Sequence, residues 1–327
     1  SVAHTQYTAP ETATLQPSMW RLAAALLLVL ASWTGPGSCF TVLQPAVRLG
    51  GATGGLPPMD DNGYFGGATA SLHSRLLAIG QPWKAGAGYE RGAVWLISLA
   101  ENSSITTYNL LDEDDGLPLV DWAQFGASLT AIPDLDGDGM AELAVGSWEI
   151  NGASGRAGSG YGSIYLLNVS EAGELRGSAL RIGDGAGGFP SGVLENGDAF
   201  GWSLAAADLD HDGRAELVVG ADSSSSDPGV NRRGSVFILS LDSDGTVLSF
   251  TRIREGTAGF AAAPENFGKS VAVLQRASGY DPSSHESAIL AVGATSQGGG
   301  QREGVIYLLR FRAALDFESF KACGVIR

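Results

Sequence analysis

Residues 200–221 run FGWSLAAADLDHDGRAELVVGA. An apolar run opens on Phe200-Gly201, an acidic loop with glycine at 213 follows, and a second apolar run from Glu216 ends at Gly220. Two short apolar runs on either side of a turn-forming loop predict a β-hairpin. The same opening recurs at Phe65-Gly66, Phe125-Gly126 and Phe267-Gly268. Each copy is followed by a second stretch ending in glycine: Leu76 to Gly80, Glu142 to Gly146, Ala288 to Gly293. A third stretch begins with glycine and has an aromatic three residues on, in the pairs Gly92/Trp95, Gly162/Tyr165, Gly234/Phe237 and Gly304/Tyr307.

A fourth stretch, Ile105 to Leu111, Glu174 to Ile182 and Thr246 to Ile253, is more polar and alternates. Alternation at period two marks a strand with one wet face, so this strand lies outermost. Four strands per unit, repeated four times, predict an all-β chain of β-propeller blades, as an incomplete or a four-bladed ring. One blade cannot bury both faces of its sheet and must stack on its neighbours. A solenoid is the structural rival. The last repeat shows no fourth strand of its own before 313, whereas Val42 to Leu49 reads as a fourth strand without the other three. Pairing these would complete the last blade from both ends and remove two sheet edges.

Repeats two and three carry acidic loops between their first two strands. One offers Asp134, Asp136, Asp138 and Glu142, with the carbonyl of Met140; the other Asp208, Asp210, Asp212 and Glu216, with the carbonyl of Arg214. Carboxylates at alternate positions converge where a following glycine, Gly139 or Gly213, lets the chain turn sharply. Hard anionic oxygens in this number suit Ca²⁺ over Mg²⁺, giving two expected Ca²⁺ sites; the alternative is a solvated acidic turn. They are not EF-hands, since the twelfth positions are Val145 and Val219.

On these residues the chain resembles the FG-GAP repeat family, the blades of the integrin α-subunit propeller, over roughly residues 41–312. The resemblance implies structural Ca²⁺ in the two loops and a role in extracellular ligand or partner binding. Two departures are that the ninth loop position is Glu142 or Glu216 where integrins usually carry Asp, and that four repeats stand against seven blades.

The composition agrees. Lys+Arg number 20 against 35 Asp+Glu, for a net charge of −15, which argues against nucleic acid as partner. Hydrophobic residues make up 44%, too many for global disorder. The 47 glycines are roughly twice the usual share and fit many turns.

Met19-Trp20-Arg21 and the apolar run Leu22 to Trp33 fit a secretory signal over residues 19–39, cleaved before Phe40, with 1–18 an upstream extension and 313–327 a C-terminal tail. A buried core helix is the other reading of that run, and its length is short of a membrane span. Earlier cleavage would keep Cys39 available to Cys323. Sequons at Asn102 and Asn168 agree with a secreted glycoprotein. The function expected is a secreted, Ca²⁺-bound module that binds an extracellular protein or glycan.

A polysaccharide-active enzyme and a purely structural matrix component are the alternatives. No catalytic set stands out: Asp112, Glu113, Asp114 and Asp115 read as a solvated run, and the histidines (4, 73, 211, 285) fall before the signal or in loops. Trp83, Trp122, Trp148 and Trp202 would either stack on sugars or pack between blades.

Overall fold

Each Phe-Gly landmark opens a four-stranded antiparallel sheet whose strands lie side by side in chain order. The first sheet is β1 (Thr69–His73), β2 (Leu76–Gln81), β3 (Ala93–Leu99) and β4 (Ile105–Leu111). The second is β5 (Ser128–Ile132), β6 (Glu142–Ser147), β7 (Ser163–Val169) and β8 (Leu175–Ile182). The third is β9 (Phe200–Ala207), β10 (Glu216–Ala221), β11 (Ser235–Leu241) and β12 (Val247–Ile253). The fourth is β13 (Ser270–Leu274), β14 (Glu286–Thr295), β15 (Gly304–Arg312) and β16 (Val325–Ile326).

The computed structural model describes residues 48–50, 54–59, 62–73, 75–85, 89–149, 160–222, 233–257, 266–274, 286–295, 304–312 and 325–326, all in one unit that begins at Arg48. The segments 1–18 and 19–39, Cys39 and Cys323 lie outside the described residues. Among those residues a 3-10 turn at Glu113–Asp115 is the one helical element, and no helix is long and apolar enough to cross a membrane.

The sheets stack face to face as propeller blades do. One apolar core joins blades one and two through Val94, Leu96, Leu129 and Tyr165. A second joins two and three through Ile132, Ile164, Val219 and Phe237, and a third joins three and four through Val218, Val236, Leu290 and Leu309. Their first strands touch in the order β1, β5, β9, β13. Outer strands β4, β8 and β12 have exposed or half-buried middles, as the alternation predicts.

Glycine sets how close the blades come. A Cβ on Gly80, Gly146 or Gly220 would run into the carbonyl oxygen of the Phe-Gly glycine of the next blade: Gly126, Gly201 or Gly268. Those partners have φ of 92°, 93° and 93°, a conformation that side chains oppose. Beside them, Gly92 bridges Phe125 and Gly162 bridges Phe200 across the same boundary. The hydroxyl of Ser128 donates to Gly201 O (2.6 Å), and that of Ser203 to Gly268 O (2.8 Å).

The place beside β15 differs from the expectation. It belongs to β16, with Ile306 opposite Ile326 and Tyr307 opposite Val325, so the strand comes from the stretch read as a tail and not from Val42 to Leu49. Residues 42–47 lie outside the described set, and Leu49 packs instead against the Leu56, Ile79, Trp95 and Ile97 cluster on blade one. The face of blade four that repeats the earlier contacts is open: Leu274 is 50% and Ile306 48% exposed, while Ile132 and Ile164 at the same positions of blade two are fully buried.

Replacing Gly146 with Ala should force blades two and three apart at Gly201. The expected loss is about 3 kcal/mol, the upper end of overpacking costs, read from the midpoint of denaturant unfolding.

Candidate metal loops

The β5–β6 and β9–β10 hairpins place both acidic loops at one end of the blades. Within each loop the carboxylates fold the backbone around themselves. Asp134 accepts from the N–H of Gly137 (2.8 Å) and Gly139 (3.1 Å), Asp136 from Asp138 (3.0 Å), and Asp138 from Met140 (2.8 Å). Glu142, at the start of β6, reaches back to the N–H of Leu135 (2.8 Å). The second loop repeats this: Asp208 accepts from Gly213 (3.0 Å), Asp210 from Asp212 (3.1 Å), Asp212 from Arg214 (2.8 Å) and Glu216 from Leu209 (2.8 Å).

Two left-handed residues make each turn. The sixth positions are Gly139 and Gly213, as expected; the fourth are Gly137 (φ 81°) and His211 (φ 63°). Histidine adopts that conformation more readily than bulky or branched residues do, which accounts for His211 without a chemical role.

The structure brings most of the expected ligands together. Carboxylate oxygens of Asp134, Asp136, Asp138 and Glu142 all lie within 4.8 Å of one another, and so do those of Asp208, Asp210 and Glu216. Asp212 falls outside the second group. Its Oδ1 accepts from the Arg214 N–H, as that of Asp138 does from Met140, and Met140 and Arg214 take part through their N–H groups.

Crowding these charges raises their cost. Glu142 and Glu216 are buried at the base of their loops, 6% and 3% exposed. Burial first, then the neighbouring aspartates, pushes Glu142 up, and pushes Glu216 up to about 7. One oxygen of Asp208 is buried with no hydrogen-bond partner, a costly state for a carboxylate. An all-oxygen anionic donor set with an orphaned buried oxygen fits a hard divalent cation. Asp134, Asp136, Asp138 and Glu142 would hold one such ion, and Asp208, Asp210 and Glu216 another.

Two contacts on the first loop have no sign in its sequence. Asn168, near the end of β7, donates its side-chain amide to Asp136 (2.7 Å), and Arg176 on β8 pairs with Asp138 (2.8 Å). Asn168 is a sequon asparagine, so the nitrogen that would carry a glycan is engaged by the loop. The other sequon residue, Asn102, sits in an exposed turn and accepts from the N–H of Ser104.

The opposite end of the blades is aromatic. Residues at or just before the starts of the first strands meet residues of the connections after the second strands there. Trp148 stacks on Trp202 (3.9 Å, 9°), whose other face carries Lys269 (3.5 Å); Lys269 also pairs with buried Asp222 (2.8 Å). With both faces covered, Trp202 serves packing. Tyr89 stacks on Trp122 (5.2 Å, 3°) and Tyr64 lies by Trp83 (5.1 Å). Both tyrosines are 65% exposed.

The acidic run is structural: Asp112 caps the 3-10 turn and pairs with Lys84 (3.0 Å), and Glu113 pairs with Arg91.

Stacked four-stranded blades with an acidic first hairpin define a propeller-type repeat. The FG-GAP repeat family matches residues 200–239, from the start of β9 to Leu239 in β11, within blade three.

Without a cation the Glu216 carboxyl binds a proton more tightly in the folded chain, about 7, than its ordinary 4.5. Folded-state stability is therefore fullest below about pH 4.5 from this group and falls as pH rises to about 7. The loss is on the order of 3 kcal/mol. Denaturant unfolding in chelator across that range should show it, and Glu216→Gln should flatten the slope.

Proposed function

We propose that this chain is a secreted, Ca²⁺-bound FG-GAP module that binds an extracellular protein or glycan through the end of its blades opposite the ions. The exposed aromatic pairs Tyr64–Trp83 and Tyr89–Trp122 carry the reading. Aromatic side chains open to solvent at one end of a rigid scaffold offer flat apolar faces with polar tips, suited to sugar rings and to protein hot spots. The ions stiffen the other end by neutralising two clusters of carboxylates that otherwise repel. FG-GAP repeats often bind Ca²⁺ and are typically extracellular, and the signal-like segment 19–39 points the same way. The Asp112–Asp115 run is tied up in ion pairs and a cap, which weighs against these acids as the catalytic set of the polysaccharide-active alternative.

Two outcomes follow. The thermal midpoint in Ca²⁺ should climb above that in chelator, by more than Mg²⁺ achieves, and Asp136→Ala/Asp210→Ala should abolish the rise. A flat response in folded protein contradicts the ion reading. Separately, a glycan array and a panel of extracellular matrix proteins should yield a ligand whose affinity drops about tenfold or more in Trp83→Ala or Tyr89→Ala. Unchanged binding in both variants rejects the aromatic end as the site.

A further inference from the structure

The two loops share a backbone design but not a charge environment. In blade two, Arg176 Nη1 lies 2.8 Å from Asp138 Oδ2 and Asn168 Nδ2 lies 2.7 Å from Asp136 Oδ2. These two side chains come from the third and fourth strands of the same blade, folded back over the hairpin loop. Asp134 is also satisfied on both oxygens, by Gly137 and Gly139. In blade three the place of Asn168 is taken by Ser240, next to last in β11, and the residue across from it, as Arg176 is across from Asn168, is Ser249 of β12. Ser249 is exposed and carries no charge. Among the described residues no Lys or Arg ion pair reaches Asp208, Asp210 or Asp212, and one Asp208 oxygen is buried without a partner.

We infer that the two loops bind Ca²⁺ with unequal strength, and that Arg176 is the device that weakens the blade-two site by acting as its built-in counter-cation. This rests on the metal reading of the loops. An ion entering blade two must take Asp138 from a guanidinium and Asp136 from an amide before it gains their full charge. An ion entering blade three meets carboxylates that no Lys or Arg among the described residues pairs with, so it gains more. The blade-three loop fills first, and the blade-two loop responds at higher Ca²⁺. A cation held by one partly exposed ion pair is a modest competitor, so the effect of its removal is set at roughly three- to tenfold.

Titration calorimetry of the full chain with Ca²⁺ alone reads both sites at once. Two phases are expected; Asp210→Asn should remove the tighter and Asp136→Asn the weaker. Arg176→Gln should strengthen the weaker phase roughly three- to tenfold and leave the other in place. The reciprocal variant Ser249→Arg should weaken the tighter phase by a similar factor. Both substitutions are at exposed side chains, and unfolding midpoints in chelator check that the fold is kept. Equal sites in the wild-type chain, or a weaker phase that Arg176→Gln leaves unmoved, overturns the inference while sparing the metal reading. No binding of Ca²⁺ in any variant overturns both.

Discussion

Bare backbone meets bare backbone at each boundary between blades, and the rest of the architecture follows from that approach. The glycine that ends each second strand faces the carbonyl of the next blade's Phe-Gly glycine with no room for a methyl group between them. Phe125 and Phe200, bridged to Gly92 and Gly162, are carried into the interface by the same approach and are fully buried. The seryl bonds from Ser128 and Ser203 satisfy the carbonyls left there, where an unpaired oxygen would be costly. Because the contact is made at the Phe-Gly end of successive blades, it aligns the first strands and sends the hairpins between first and second strands to the other end. The acidic loops occupy that other end, and the aromatic pairs remain beside the contact.

The acidic end is an electrostatic problem that the fold leaves partly unsolved. Backbone N–H groups answer the aspartates one by one, but Glu142 and Glu216 sit beneath them, buried and pushed toward protonation. Blade two offsets part of its charge with Arg176, whereas among the described residues no such partner reaches the loop of blade three. In a chain with a net charge of −15, such loops are natural places for a divalent cation.

Most of the fold was legible in the sequence because three landmarks recur in fixed order, and each has a steric reason to recur. The glycines are required by close approach, the phenylalanines by burial, and the polar alternation of the fourth strands by their outer position. The acidic loops were legible as well, since carboxylates at alternate positions before a glycine constrain one another over a few residues. What escaped depends on contacts between distant parts of the chain. β16 is two residues long, too short for any periodicity, so the sequence pointed to Val42–Leu49 instead. Arg176 and Asn168 reach their loop from 38 and 32 residues away, and a local reading had no sign of them. The left-handed residue before each phenylalanine is Tyr64, Gln124, Ala199 or Asn266, and no side-chain type announces it. Asp212 occupies the expected position but its carboxylate does not come within reach of the other three, a placement that spacing does not encode.

A crystal of the chain grown with Tb³⁺, a strong anomalous scatterer that takes the oxygen ligands of Ca²⁺, tests the account most directly. Two peaks are expected at the hairpin end of adjacent blades. One is enclosed by Asp134, Asp136, Asp138 and Glu142, the other by Asp208, Asp210 and Glu216. Intact blades with no peak in either loop would contradict it and leave the clusters as acidic turns.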